Sequence, residues 1–205
     1  VNAKSINPYL LDSDSGYVEA HKENLWGMPK MNMGNMERGN GKLFLSTEEK
    51  NEVIRLEPNL EKWIHPLVGA DEFLKGKKRW CFWLVGISPQ EIKNSKILYE
   101  RVEGVREFRL ASKAKTTRAY AKTPHLFAQN VQPNTSFIVI PVVSSERRRY
   151  VPMGFLTSDY IPTTQVQIVP NASLYHFGIL TSNVHMAWMR TVCGRLEMRY
   201  RYSKE

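Results

Sequence analysis

"SFIVIPVVSSERRRYVPMGFLTSDYIPTTQVQIVP", residues 136–170, is the stretch whose reading decides the fold. Short runs rich in Val, Ile and Phe are separated by the turn-formers "SSER" and "TSDYIP", and "QPNT" divides them from the earlier run "HLFAQNV". The runs "HLFAQNV", "SFIVIPVV", "RRYVPMGFL" and "TQVQIVP" at this spacing predict strands of an antiparallel sheet. Arg147, Arg148 and Arg149 stand between two of them; in a strand, Arg147 and Arg149 would share one face and Arg148 the other.

Helical signals flank this region. Ser46 and Glu49 form a capping box ahead of "TEEKNEVIRLEP", which Pro58 ends, and Ser88 with Glu91 repeats it with Pro89 at the first helical position. The second helix breaks near Asn94-Ser95 before "KILYERVEGVREFRLAS", where Leu98, Val102, Val105 and Phe108 make an apolar stripe at spacings of four, three and three. "RWCFWLV", residues 79–85, reads as a buried strand. After the sheet, "ASLYHFGILTSNVHMAWMRTVCG" predicts two helices meeting near Thr181-Ser182-Asn183 with Gly194 as the stop, and "LEMRYRYS" an amphipathic strand. The order of helices, sheet and helices gives an α+β fold, with an antiparallel or mixed sheet and flanking helices. Residues 1–42, including "WGMPKMNMGNMERGNGK", show no period and form an irregular N-terminal segment ahead of a domain over residues 43–205.

Composition narrows the function. A chain of 205 residues, 42% hydrophobic and 11% aromatic, buries a substantial core, and its formal charge of +9 favours a polyanion such as nucleic acid. Cys81 and Cys193 lie far apart in apolar surroundings and read as free thiols of a cytoplasmic protein. No apolar run reaches the roughly 18 residues of a membrane span, which argues against a membrane partner, and the first residues lack the pattern of a signal peptide. The absence of an initiator Met points to a piece of a longer protein.

Catalytic motifs are missing. Neither G-x-G-x-x-G, G-x-x-x-x-G-K-[ST] nor G-x-S-x-G occurs, and His21, His65, His125, His176 and His185 are too scattered for a metal site. Asp71-Glu72 and Asp159 stand in turn-like contexts where acids are ordinary. The segment therefore offers no catalytic residue, cofactor site or metal site.

Basic residues carry more information. Arg101, Arg106, Arg109, Lys113, Lys115, Arg118 and Lys122 face only Glu103 and Glu107 over residues 101–122, and the interleaved Ser and Thr suit phosphate oxygens. A solvated helix face would show the same charge. "SSERRRYVP" forms the second cluster, with Arg147, Arg148 and Arg149 suited to phosphate or guanine alike. In "TTQVQIVPN", Thr163, Gln165 and Gln167 share one strand face with Val166 and Ile168 on the other, and glutamine can pair with adenine in the major groove. An exposed edge strand would look alike.

"VREFRLASKAKTTR", "TPHLFAQNVQP", "IPVVSSERRRYVPMGF", "VPNASLYHFGILTSNVHMAWMRTVCGRL" and "RYRYS" resemble the target recognition domain of MmeI-like enzymes. "INPYL" and "WIHPLVGADEFLKGKKRWCFWL" fit the same domain, so the resemblance spans nearly the whole chain. Those enzymes are single-chain type II restriction-modification proteins of the DNA adenine methyltransferase family. The resemblance implies a domain that reads double-stranded DNA and positions an adenine for N6 methylation by an adjacent methyltransferase domain of the same chain. The irregular residues 1–42 would pack on the domain or on that neighbour. S-adenosylmethionine and Mg²⁺ are implied for the parent enzyme and not for this segment; the N-P-P-[YF] tetrad is absent, since "INPYL" has one proline. It further implies that base readers sit at i and i+2 in a strand: Thr163, Gln165 and Gln167, with Gln129 and Val131 of "FAQNVQ" as secondary candidates. The backbone contacts would then be Arg106, Arg109, Lys113, Lys115, Arg118, Arg147, Arg148 and Arg149. Two alternatives stay open: a cryptic nuclease or methyltransferase site, and a protein-interaction module docking through the Met-rich segment.

Overall fold

The computed structural model describes residues 6–7 and 28–203. The apolar run at 137–141 forms strand β5 of a sheet buried on both faces. Phe137, Ile138, Val139 and Ile140 are all inaccessible to solvent, because Phe137 and Val139 pack into one cluster with Val166 and Ile168, and Ile138 and Ile140 into another with Val169, Met186 and Met189. Alternating side chains feeding two cores explain why the sequence reads as continuous rather than alternating hydrophobicity.

In chain order the elements begin with β1 (Asn32–Met33), β2 (Phe44–Leu45), α1 (Thr47–Leu56), β3 (Ile64–Val68), α2 (Ala70–Lys75) and β4 (Arg79–Phe82). There follow α3 (Pro89–Asn94), α4 (Lys96–Leu110), α5 (Lys115–Ala119), β5 (Phe137–Pro141), β6 (Val143–Ser144), β7 (Gly154–Leu156) and β8 (Ile161–Pro162). The chain closes with β9 (Val166–Pro170), α6 (Leu174–Leu180), α7 (Asn183–Val192), β10 (Arg195–Leu196) and β11 (Arg199–Arg201). Three sheets result, with strand orders β1-β9-β5-β7, β2-β4-β3-β8 and β10-β11-β6. All described pairings between strands are antiparallel except β3 with β8, so the α+β reading with a mixed sheet holds.

The helix signals are realised as read. Ser46 and Glu49 exchange hydrogen bonds at the start of α1, Ser88 and Glu91 do so at α3, and Ser95 divides α3 from α4 by capping Leu98. α4 departs from expectation on its buried face. Phe108 is 42% exposed and Arg109 fully buried, so the inward stripe is Leu98, Val102, Val105 and Arg109, at spacings of four, three and four. That is also a helical period; charge alone argued against it.

Four strand expectations change. "HLFAQNV" forms only an isolated bridge between Gln129 and Met36, and the Leu126 carbonyl within it accepts from the Arg109 guanidinium rather than from a neighbouring strand. "RRYVPMGFL" is a strand only from Gly154, and "TQVQIVP" only from Val166. "LEMRYRYS" folds into a hairpin, with Glu197 at φ 56° in its turn. Residues 28–42, expected to be irregular, supply β1 as the edge partner of β9. No helix of the described residues is long and apolar enough to cross a membrane.

Candidate nucleic-acid interface

The quiet segment "IPTTQVQ" is where the chain passes from one sheet to the next. β8 lies beside β3 in one sheet, β9 beside β5 in another, and Thr163 to Val166 turns between them, with the Val166 amide donating to the Thr163 carbonyl at 3.1 Å. This turn breaks the strand alternation on which the one-face expectation rested. Thr163 is buried, with its hydroxyl accepting from the Gln165 amide at 3.4 Å. Gln167 is 3% exposed within β9, between Met33 and Ile140, and lines a different recess with Val142 and Arg201. Its amide oxygen has no hydrogen-bond partner. Only Gln165 of the three stands at the surface.

Asn35 ties the second expected segment to this turn. Its backbone bridges Thr163, its amide donates to the Pro162 carbonyl at 2.7 Å, its Oδ1 accepts from the Val131 amide at 2.8 Å, and its Nδ2 donates to Gln132 Oε1 at 2.9 Å. Met36 exchanges backbone hydrogen bonds with Gln129, both 3.1 Å. Gln129, Val131 and Gln165 are all exposed.

Two glycines shape the junction. A Cβ on Gly34 would stand 2.3 Å from the Thr163 carbonyl oxygen, and one on Gly69 would stand 2.4 Å from Gln165 Oε1. Gly34 therefore permits the backbone approach, and Gly69 leaves room for the Gln165 side chain. Gln165 Oε1 accepts from the Ala70 amide at 3.3 Å, which leaves a second lone pair on that oxygen and the Nε2 donors for another partner. Asn35, Met36, Arg38, Phe44, Arg79 and Gln165 are among the residues around a cavity of about 240 Å³. Arg79 is held by Glu72 at 2.7 Å, while Lys75 and Lys77 flank Asp71 and hold its carboxyl down to about 2. Sequence reasoning missed Asn35, Gly34, Gly69 and Arg79, because each acts through contacts distant in sequence.

Arg109 cannot be a phosphate contact. Its five N–H groups donate to the carbonyls of Glu37, Arg38, Tyr120, Thr123 and Leu126, at 2.6 to 3.0 Å, inside the protein. Burial lowers its pKa, and the Glu37 carboxylate opposes that shift. Glu37, itself buried, accepts from the amides of Gly39, Gly41 and Leu43 and so folds the neighbouring turn. Of the other cations on this part of the chain, Arg106 pairs with Glu103, and Arg118 closes on the Ser112 and Lys113 carbonyls; Lys113 and Lys115 are exposed.

Arg147, Arg148 and Arg149 lie in a turn rather than a strand, since the Arg148 amide donates to the Ser145 carbonyl and the Arg147 amide to its hydroxyl. All three are exposed. The preceding strand β6 pairs with β11, which places Arg199 and Arg201 of the C-terminal hairpin on the same small sheet. Arg190 of α7 donates to the Arg149 carbonyl. Three histidines have separate partners: His185 the Tyr202 hydroxyl at 2.8 Å, His176 Ser173, and His65 the Asp159 carbonyl.

A basic surface and an exposed polar turn, fixed at a seam between two sheets, are features suited to a domain that reads DNA. The comparisons give the family: the model of the MmeI target recognition domain matches residues 12–205, and the chain belongs to that family. It is 34% identical over 199 residues to DNA methyltransferase A of Bacillus subtilis (strain 168), covering 97% of this chain and 23% of that protein. A solved structure of the type IIL restriction-modification enzyme MmeI in complex with DNA superposes with a TM-score of 0.95 at 41% identity, covering 99% of this chain and 27% of that one. The chain thus spans about a quarter of the length of these relatives.

Proposed function

We propose that the chain is the DNA-reading domain of a larger restriction-modification methyltransferase and acts on double-stranded DNA in the cytoplasm. It presents a target adenine for N6 methylation to a catalytic domain of the same polypeptide, which supplies the S-adenosylmethionine site; Mg²⁺ serves any attached nuclease. The observation that carries this reading is the seam, where Asn35 fixes the backbones bearing Gln165, Gln129 and Val131 while their side chains stay at the surface. Base readers need that combination of rigid frame and free polar edge. Gln165 can offer both amide donor and acceptor to an adenine edge in the major groove. Thr163 supports the turn from within, and Gln167 lies behind it.

The backbone contacts in this reading are Lys113, Lys115 and Arg118 beyond the end of α4, with Arg106 on its surface, and Arg147, Arg148 and Arg149 in the loop after β6. Substituting Gln165 in the parent polypeptide should change the preferred base at one position of the site, by about 1–3 kcal/mol of discrimination. Arg148→Ala should weaken binding to all sequences alike. Binding-site selection on randomised duplexes measures both, and the reverse pattern would exchange the two roles.

A further inference from the structure

α6 and α7 carry two apolar faces each, and the core uses one. Met186 and Met189 of α7 point inward, while Val184 and Trp188, four residues apart, lie on the outside with Val184 at 81% exposure. On α6, Leu174 is 79% exposed, and the next residue, Tyr175, shares a helical face with Ile179 four positions on, both exposed. The turn of the next hairpin adds Met198 at 70%. Residues 172–193 contain no Asp or Glu and a single cation, Arg190, whose guanidinium is engaged with the Arg149 carbonyl. In a chain with 24% charged residues, this is a surface built to be covered.

DNA is a poor occupant, since a phosphate backbone calls for cations that these helices lack. Trp, Tyr and Met among small residues fit a protein contact. Relatives of the chain are about four times its length, so a partner within the same polypeptide faces this surface at an effective concentration that a separate molecule does not reach. We infer that the outer face of α6 and α7 is the seat of the methyltransferase domain of the same polypeptide, an inference that rests on the functional reading above. The contact would hold the reading seam at a fixed offset from the catalytic pocket.

The test uses the parent polypeptide bound to duplex DNA, with a photo-cross-linking amino acid at Trp188 or, separately, at Tyr175, and a control probe at Lys93 on α3. Cross-links from 188 and 175 to peptides of the methyltransferase domain, absent from 93, are the expected result. Cross-links to a second copy, to DNA, to another region of the parent or within residues 1–205 overturn the proposal, as does a free, unreacted probe at both positions. Val184→Asp with Trp188→Glu provides the second measurement. The pair should cut methylation at saturating DNA at least tenfold while leaving DNA affinity within twofold, and unchanged methylation also overturns the proposal. Failure of the functional reading looks different: the unaltered parent would then not methylate DNA at all.

Discussion

Arg109 shows how a cation can serve as scaffold. Its planar fork donates to five carbonyls, two of which, Tyr120 and Thr123, also accept from a backbone amide, and so joins α4 to the turn around Glu37 and to residues 120–126. Lysine has the charge but not the five donors in a fixed plane. Arg109→Lys should therefore destabilise the fold by about 3 kcal/mol or more, because several buried carbonyls lose their partner. Urea denaturation measures it, and wild-type stability would show that the fork is dispensable. Gly34 makes a second residue-scale case. Its neighbour at 2.3 Å is backbone, so Gly34→Ala has no side chain to push aside. A cost of about 1–3 kcal/mol is expected from the same measurement, together with altered base preference as the Thr163 turn shifts.

At the scale of elements, the sequence disclosed what local chemistry determines. Capping boxes at Ser46 and Ser88 placed two helix starts correctly, and "SFIVIP" marked the central strand. Illegible were the positions where a distant group replaces a local partner. Arg109 took the place expected for Phe108, the Arg109 fork satisfied the backbone before Gln129, and the turn at Thr163 interrupted an apparent alternation. Of the expected base readers, Gln165, Gln129 and Val131 stand at the surface, whereas Thr163 and Gln167 are buried. The framing of the candidate site by Asn35 depends on contacts some hundred residues apart and left no local trace.

His185 links α7 to the end of the chain through Tyr202, and burial lowers its pKa; His125 is lowered too, by burial and then by Arg109 and Arg106. Each stays neutral in the folded state at a pH where the unfolded chain already takes up a proton. The unfolded form therefore binds more protons as pH drops below the ordinary histidine value of about 6.5, and stability present above that pH is lost on the way down to the folded pKa. Denaturation midpoints should fall between pH 7 and 5.5, and His125→Gln with His185→Gln should flatten the decline. An equal decline in that variant would place its cause elsewhere. Asp71, held at about 2, acts only at far lower pH.

For the whole molecule, the relevant quantity is the balance of charge, +9 over 205 residues. Binding of the parent to its DNA site should weaken linearly in log salt, with a slope proportional to the phosphates neutralised. Replacing Arg147, Arg148 and Arg149 with alanine should make that slope shallower by about 1 for each arginine that touches a phosphate. Fluorescence anisotropy between 50 and 300 mM salt would measure it, and an unaltered slope would remove the loop from the interface.

The Asn35 strut has a consequence for how such proteins change over generations. Because main-chain bonds and one buried amide hold the seam, Gln165, Gln129 and Val131 are exposed passengers on it, and replacing such residues alters stability by roughly 0.5 kcal/mol or less. On the reading proposed above, a lineage could therefore sample new DNA sites one substitution at a time without passing through a misfolded ancestor. On that reading, variation would sit in three side chains, and the inheritance of shape beneath them.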